Sequence, residues 1–373
     1  MRDQLIKDAR RIVLKVGSRL VAAKECGLNT ERIDRFAREL AALKAQDREI
    51  LMVSSGAIAC GIEKLGLKEY PKSLPLKQAA AAVGQSRLMW AYEKAFEKVG
   101  LKVAQVLLTR DDLTNRPRFL NARHTLTALL QFGVVPIINE NDTVAVDEIR
   151  FGDNDSLAGM VAHLVDADLL VILSDVGGLY TEDPRHNPEA TLIPLVTDVT
   201  ADIERRAGGT SSFEGTGGMQ TKVLAAKKAA TYGVATAIVN GEHPGQLTAL
   251  FHCHAVGTFF LPKDQRLTSR KHWIGYTVKT KGRLTLDDGA VEALTRKGKS
   301  LLPSGITAVH GNFESGDAVA CTDRAGGEFA KGLVNYGSEA IAKIKGLKSS
   351  DIQKTLGYKD YDEVIHRDNL VIL

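Results

Sequence analysis

Arg11-Ile-Val-Leu-Lys-Val-Gly17 is a short apolar run that a glycine closes, and such a run is typical of a buried strand. Further apolar runs without polar alternation follow: Ile50–Val53, Val103–Leu108, Val134–Asn139, Leu169–Leu173 and Thr236–Val239. Helical patterns lie between them, for example at Thr30–Gln46 and Gln78–Val99. Fully apolar strands belong to parallel sheets that helices cover on both faces. The first 260 or so residues therefore predict an α/β fold with an open, mainly parallel sheet sandwiched by helices.

Polar and glycine-containing segments follow several of these predicted strands. They are Lys15–Ser18, Ser54–Ala57, Asn139–Asp142 and Ser174–Gly178. Ligands of open α/β sheets bind beyond the carboxyl ends of the strands. The four segments together therefore predict a single cleft built from strand ends.

Thr216-Gly-Gly-Met-Gln-Thr-Lys222 precedes an amphipathic helical stretch, Val223–Tyr232. Adjacent glycines allow a ligand to approach the backbone, and the first turn of a helix offers unpaired N–H groups to an anion. Lys222 adds a mobile positive charge, so the segment predicts a phosphate-binding loop, although it lacks the P-loop spacing. A plain loop with a solvated lysine remains the alternative.

Lys15 is a lysine inside an otherwise apolar strand, and burying it is costly unless it is paired. The alternative is a side chain that extends to solvent at the sheet edge. Phosphoryl transfer depends on alignment and positive charge around the moving group. Lys15 and Lys222, held by one aspartate such as Asp155, would supply that charge, and Mg²⁺ would be held mainly by nucleotide phosphates.

Two clusters of Asn and Asp lie close together in the sequence, Asn139-Glu-Asn-Asp142 and Gly152-Asp-Asn-Asp155. Such residues also form turns and cap helices, and Asp155 could cap the helix that follows. A free carboxylate can hold an ammonium group, and an Asn side chain can receive a carboxylate. Asp142 and Asn154 therefore suit an amino-acid ligand.

Ser174-Asp175-Val-Gly-Gly-Leu-Tyr-Thr-Glu-Asp-Pro184 follows the apolar run Leu169–Leu173. Gly177 and Gly178 permit the close approach that a nucleotide base or ribose requires. A tight turn followed by a surface loop is the alternative.

The pattern of predicted elements changes after about residue 262. We predict a domain at 1–262, a polar, basic linker at 263–280, and a small, mainly antiparallel β barrel at 281–373 with its core at about 281–358. The net charge of the chain is +4, but basic and acidic residues balance after residue 281, so nucleic-acid binding is not expected. Four dispersed cysteines, no zinc spacing, no export signal and no long apolar run predict a cytoplasmic protein without a membrane segment or a metal site of its own.

The chain resembles the glutamate 5-kinase family of the amino-acid kinase superfamily. The resemblance rests on six motifs in the family's order: Lys15-Val-Gly-Ser18, Ser54-Ser-Gly-Ala-Ile-Ala59, Asn139-Glu-Asn-Asp142, Gly152-Asp-Asn-Asp155, Ser174-Asp-Val-Gly-Gly-Leu-Tyr-Thr181 and Gly215-Thr-Gly-Gly-Met-Gln-Thr-Lys222. The remainder resembles a PUA domain. The family makes L-glutamyl 5-phosphate and ADP from L-glutamate and ATP, the first step of proline biosynthesis.

The resemblance also implies roles for individual residues. Lys15 and Lys222 would neutralise the phosphates, Asp155 would hold both lysines, and backbone N–H groups would come from Gly17 and Gly56. Glutamate would contact Ser55, Asp142 and Asn154. ATP would contact Lys15, Ser174, Asp175, Thr216, Gly217, Gly218, Met219, Gln220, Thr221 and Lys222.

Small departures from the family's pattern are present. Ser54 and Ser174 stand where many members have threonine, and Arg150 stands where some have lysine. The resemblance further implies feedback inhibition by proline and a dimeric or tetrameric state. An acetylglutamate or aspartate kinase and an RNA-binding PUA protein remain as alternatives.

Overall fold

The structure is a computed structural model that describes residues 1–22, 27–145, 154–208, 218–263, 274–275 and 278–373. The chain divides into two compact units, Met1–Arg266 and Leu267–Leu373. Most of the predicted linker lies outside the described residues, so its limits and those of the two domains remain a prediction.

A mainly parallel sheet forms the centre of the first unit. Its strands among the described residues are β1 Arg11–Val16, β2 Glu49–Ser54, β3 Val103–Leu108, β4 Val135–Glu140, β5 Leu169–Ser174, β6 Leu195–Val196, β7 Ala235–Asn240 and β8 Thr258–Phe260. Their order is β3-β4-β2-β1-β5-β7-β8-β6. Only the β7–β8 pairing in this sheet is antiparallel among the described strands. The predicted α/β fold is therefore confirmed.

Helices cover this sheet. The longer ones are α1 Arg2–Asp8, α3 Thr30–Lys44, α4 Ala57–Lys64, α5 Leu74–Glu97, α7 Arg116–Gln131, α8 Asn154–Leu164, α9 Ala201–Gly208 and α10 Met219–Thr231. The shorter ones are α2 Ser18–Val21, α6 Arg110–Thr114 and α11 Gln246–Phe251. The core between helices and sheet includes Leu14, Phe36, Phe96 and Val171.

Two local expectations need correction. Strand β3 is only partly buried, with Gln105 exposed, because it lies at the edge of the sheet rather than inside it. Helix α5 begins at Leu74, a turn before the predicted Gln78, because Pro75 is compatible with the first turn of a helix. The side chain of Asn29 caps α3, because it accepts a hydrogen bond of 2.9 Å from the backbone N–H of Arg32.

The second unit contains a five-stranded sheet among its described residues. The strands are β9 Gly282–Leu286, β10 Ile306–Gly311, β11 Ala318–Thr322, β12 Glu328–Leu333 and β13 Leu370–Ile372, in the order β10-β9-β11-β12-β13. β9 pairs with β11 in parallel, and the other pairings are antiparallel. The helices are α12 Asp288–Thr295, α13 Ser338–Ile344 and α14 Ile352–Leu356. β13 extends the sheet beyond position 358, where we predicted the core to end.

Candidate active site

A cleft opens beyond the carboxyl ends of β1, β2 and β5. It is lined by residues that directly follow these strands or begin α8 and α10, among them Gly17, Ser55, Asn154, Asp175, Gly218 and Met219. Three of the four polar strand-end segments therefore meet as predicted. The fourth, Asn139–Asp142, contributes through a hydrogen bond from behind the cleft.

Two lysines meet on one buried aspartate at the floor of this cleft. Nζ of Lys222, on α10, lies 3.1 Å from Oδ2 of Asp155. Nζ of Lys15, on β1, forms an ion pair with the other carboxylate oxygen. All three side chains are buried, and Asp155 is 0% exposed. Both lysines also line the cleft, so their charges are available to a ligand there.

The electrostatics of Asp155 follow from this arrangement. Burial alone opposes ionisation, but the charges of Lys15 and Lys222 and their hydrogen bonds hold the pKa of Asp155 well below its usual range. The hydroxyl of Thr221 lies 3.0 Å from Oδ2 of Asp155 and 2.8 Å from the carbonyl oxygen of Gly218. The carboxylate is therefore ionised and fixes both lysines in place.

Asn154 lies beside Asp155 at the start of α8 and is 8% exposed. Its Nδ2 lies 2.8 Å from the carbonyl oxygen of Ser54, 2.9 Å from Oγ of Ser55 and 2.9 Å from Oδ1 of Asn139. Asn139 in turn donates a hydrogen bond of 2.7 Å to Oε1 of Gln85. The predicted residues Ser55 and Asn154 are thus in direct contact.

Asp175 and Ser174 end β5 at the other side of the cleft. Ser174 donates a hydrogen bond of 3.1 Å to Asp175, which also forms an ion pair of 2.7 Å with Arg19. Burial tends to raise the pKa of Asp175, but the hydrogen bond and charge of Arg19 outweigh it and lower the pKa. The sequence prediction missed Arg19, although it directly follows Lys15–Ser18.

Not every predicted site residue joins this cleft. Asp142 lines a separate hollow beside Gln85 and Glu140, where burial raises the pKa of its carboxyl to about 6. Gln220 is exposed and does not line the cleft. Gly56 has a φ of 110° and precedes α4, a conformation that favours glycine. Thr216, Gly217 and Arg150 lie outside the described residues.

The carboxylates of the cleft do not form a metal cage among the described residues. Asp155 is engaged by two lysines and Asp175 by Arg19. The described residues contain no group of three or more His, Cys, Asp or Glu side chains that could hold a metal ion.

Comparison with known proteins defines the class to which this chain belongs. A family model described as the amino acid kinase family matches residues 10–240, and a PUA domain model matches residues 282–356. Glutamate 5-kinases of Geobacter sulfurreducens, Pelobacter propionicus and Geobacter metallireducens are 53%, 54% and 55% identical to the chain, each over the full length of both proteins. The chain therefore belongs to the amino acid kinase family and, within it, to the glutamate 5-kinase family.

No helix within the described residues is both long enough and apolar enough to cross a lipid bilayer.

Proposed function

We propose that this chain transfers the γ-phosphoryl group of ATP to the side-chain carboxylate of L-glutamate, which gives L-glutamyl 5-phosphate and ADP and begins proline biosynthesis. The observation that carries the proposal is the convergence of Lys15 and Lys222 on Asp155 at the strand-end cleft. Phosphoryl transfer requires positive charge and alignment rather than a covalent intermediate.

The proposed chemistry assigns a task to each residue of the cluster. A carboxylate oxygen of glutamate forms a bond to the γ-phosphorus while the bond to the bridging oxygen of ADP breaks. Lys15 and Lys222 stabilise the negative charge that moves between these oxygens, and Asp155 keeps both ammonium groups aimed at it. The acceptor carboxylate is already ionised at neutral pH, so no general base is needed.

In this proposal, the two substrates bind to different walls of the cleft. Ser174, Asp175 and the start of α10 bind the nucleotide, and Arg19 adds a third cation beside its phosphates. Ser55 and Asn154 bind glutamate, and Asp142 approaches it from the neighbouring hollow. Mg²⁺, when bound, neutralises the nucleotide phosphates that hold it.

The family resemblance alone supports the remaining parts of the proposal. They are feedback inhibition by proline, a dimeric or tetrameric assembly, and a cytoplasmic location. A role in nucleic-acid binding is not proposed.

The test measures ATP-dependent acyl phosphate formation with hydroxylamine, which traps an acyl phosphate as a hydroxamate. L-Glutamate, N-acetyl-L-glutamate and L-aspartate are compared side by side, and we expect L-glutamate to be the substrate. Lys222→Met should lower kcat by about 100-fold or more, because a positioned group that stabilises transition-state charge contributes about that much. The KM for glutamate should change little.

Lys227→Met is the matched control. Lys227 lies on the same helix, is half exposed and pairs with Glu204, so its removal should leave kcat unchanged. Equal losses in the two variants, or preferential phosphorylation of acetylglutamate or aspartate, would contradict the proposal.

A further inference from the structure

We propose that Arg32 is a positioning residue for nucleotide binding. It caps the C-terminal end of α2 and thereby holds Arg19 at the cleft, where Arg19 binds the phosphates of ATP. Arg32 lies on α3 and is not among the described residues that line the cleft. The proposal rests on the proposed function, and only on the part in which ATP binds in this cleft.

Helix α2 is a single turn, from Ser18 to Val21. The last four carbonyl groups of any helix have no partner within it, so every carbonyl of α2 depends on groups that follow or surround it. The backbone N–H groups of Ala22 and Asn29 donate to the outer two, those of Ser18 and Val21, at 2.8 and 2.7 Å. The two carbonyls between them receive hydrogen bonds from a side chain.

That side chain is Arg32. Its Nη1 donates hydrogen bonds of 3.1 Å to the carbonyl oxygen of Arg19 and 3.3 Å to that of Leu20. Its Nη2 lies 3.8 Å from Oε1 of Glu242, which helps to orient the guanidinium group. A positive charge is favourable at this end of a helix, because the carbonyl groups carry the negative end of the helix dipole. Arg32 therefore acts as the C-terminal cap of α2.

Packing holds the other side of α2. Leu20 is fully buried against the ends of β5 and β7. A Cβ on Gly241 would lie 2.5 Å from Cδ1 of Leu20 and 3.0 Å from Cβ of Leu173. Arg35, also on α3, donates a hydrogen bond to the carbonyl oxygen of Gly241. The sheet thus blocks movement of α2 inward, and the hydrogen bonds of Arg32 oppose movement outward.

Arg19 is the residue that this arrangement holds at the cleft. It lines the cleft, and its Nη1 lies 2.7 Å from Oδ2 of Asp175. Its side chain is 49% exposed, so its planar guanidinium group can reach the oxygens of a phosphate. A ligand that binds a long side chain on a loose segment must order backbone and side chain, and a fixed backbone removes the first of these costs. Arg32 therefore raises the affinity for ATP without touching ATP.

The experiment measures binding of MgATP in the absence of glutamate by calorimetry. Arg19→Met should weaken binding by about tenfold, because a charge-assisted hydrogen bond to phosphate is lost. Arg32→Met should weaken it by about three- to tenfold, since Arg19 remains but is no longer held in place. The kcat at saturating ATP should change less than about twofold, because the cluster of two lysines around Asp155 is untouched.

The double variant of Arg19→Met and Arg32→Met distinguishes positioning from general support of the fold. If Arg32 acts through Arg19, its removal has no further effect once Arg19 is absent. The double variant should therefore bind MgATP like Arg19→Met alone. Independent effects would multiply instead, to about 30-fold or more, and would overturn the inference.

Arg38→Met is the control, because Arg38 is exposed on the same helix and is not among the described residues that line the cleft. Its affinity for MgATP should equal that of wild type. If thermal melting shows that Arg32→Met is not folded, Arg32→Gln takes its place in both experiments, since its shorter, neutral side chain cannot reach both carbonyls.

A folded variant at position 32 that binds MgATP like wild type overturns the inference, and so does an equal loss of affinity in Arg38→Met. Wild-type protein that binds MgATP but forms no hydroxamate with glutamate would defeat the proposed function alone. Wild-type protein that does not bind MgATP would defeat both.

Discussion

At the scale of single residues, Asp155 determines how the charges of the cleft are arranged. A buried carboxylate between two lysines leaves a net charge of about one unit on the cluster, and this charge faces the cleft. Removing one partner of a buried ion pair costs about 3–5 kcal/mol, because the remaining charge stays desolvated. Substitution of Asp155 therefore tests stability as well as catalysis, whereas Lys222→Met leaves a balanced Lys15–Asp155 pair and reports on catalysis more directly.

Asp142 gives a prediction about pH. Burial raises the pKa of its carboxyl from the ordinary 3.8 to about 6, so the folded protein holds this proton between these values while the unfolded chain releases it. The contribution of Asp142 to the free energy of unfolding is therefore greatest at low pH, and it is lost as the pH rises to about 6. Only ionised Asp142 attracts an ammonium group, so the KM for glutamate should fall as the pH rises from 5 to 7.

Asp142→Asn removes the titrating group and keeps the shape of the side chain. Its KM for glutamate should be flat over the same range, close to that of wild type at pH 5 and higher than that of wild type at pH 7, while the KM for ATP stays the same. A steady-state pH series for both proteins measures this. An identical pH dependence in the two proteins would show that another group is responsible.

Most charged residues of the site were easier to predict from the sequence than the neutral ones. Lys15 stood out because a lysine in an apolar strand needs a partner, and the structure supplies Asp155. Gln85 lies in the middle of α5 and carries no such signal, since it accepts a hydrogen bond from Asn139, which is far away in the sequence. Arg19 was missed because an arginine after a loop is ordinary until its partner, Asp175, is known.

Helices α4 and α5 show what packing contributes at the scale of elements. A Cβ on Gly84 would lie 1.8 Å from the carbonyl oxygen of Ala57, and one on Gly61 would lie 1.7 Å from that of Ala80. The two helices therefore approach backbone to backbone, and only glycine fits at either position. The alanine-rich sequence predicted the helix but not this contact, because the partner of a small residue is set by the tertiary fold.

Gly84→Ala should destabilise the protein strongly. Overpacking of a core typically costs about 1–3 kcal/mol, and we expect the upper end or more because the clash is with backbone and no side chain can turn away. The urea midpoint of unfolding measures the effect. Gly208→Ala is the control, since its nearest neighbour would be 3.8 Å away, and a similar loss there would contradict this explanation.

At the scale of the whole molecule, the two units have separate hydrophobic cores. The core of the first unit includes Leu14, Phe36 and Val171, and that of the second includes Leu284, Phe313 and Ile365. The alternation of strand and helix in the sequence was enough to predict the class of the first fold, because buried parallel strands have a distinct pattern. The strand β13 was not predicted, because three residues near a chain end carry too little periodicity.

A chain shortened after Arg266 should remain a kinase. Every described residue that lines the cleft belongs to the first unit, and a domain with its own core folds independently, so we expect kcat within about twofold of the full chain. Hydroxamate formation measures activity, and circular dichroism with thermal melting confirms that the shortened chain is folded. A folded but inactive fragment would mean that the second unit contributes to catalysis. If the proposed inhibition by proline is found in the full chain and changes in the shortened one while kcat does not, the second unit has a regulatory part, since Lys15, Asp155 and Lys222 all lie in the first.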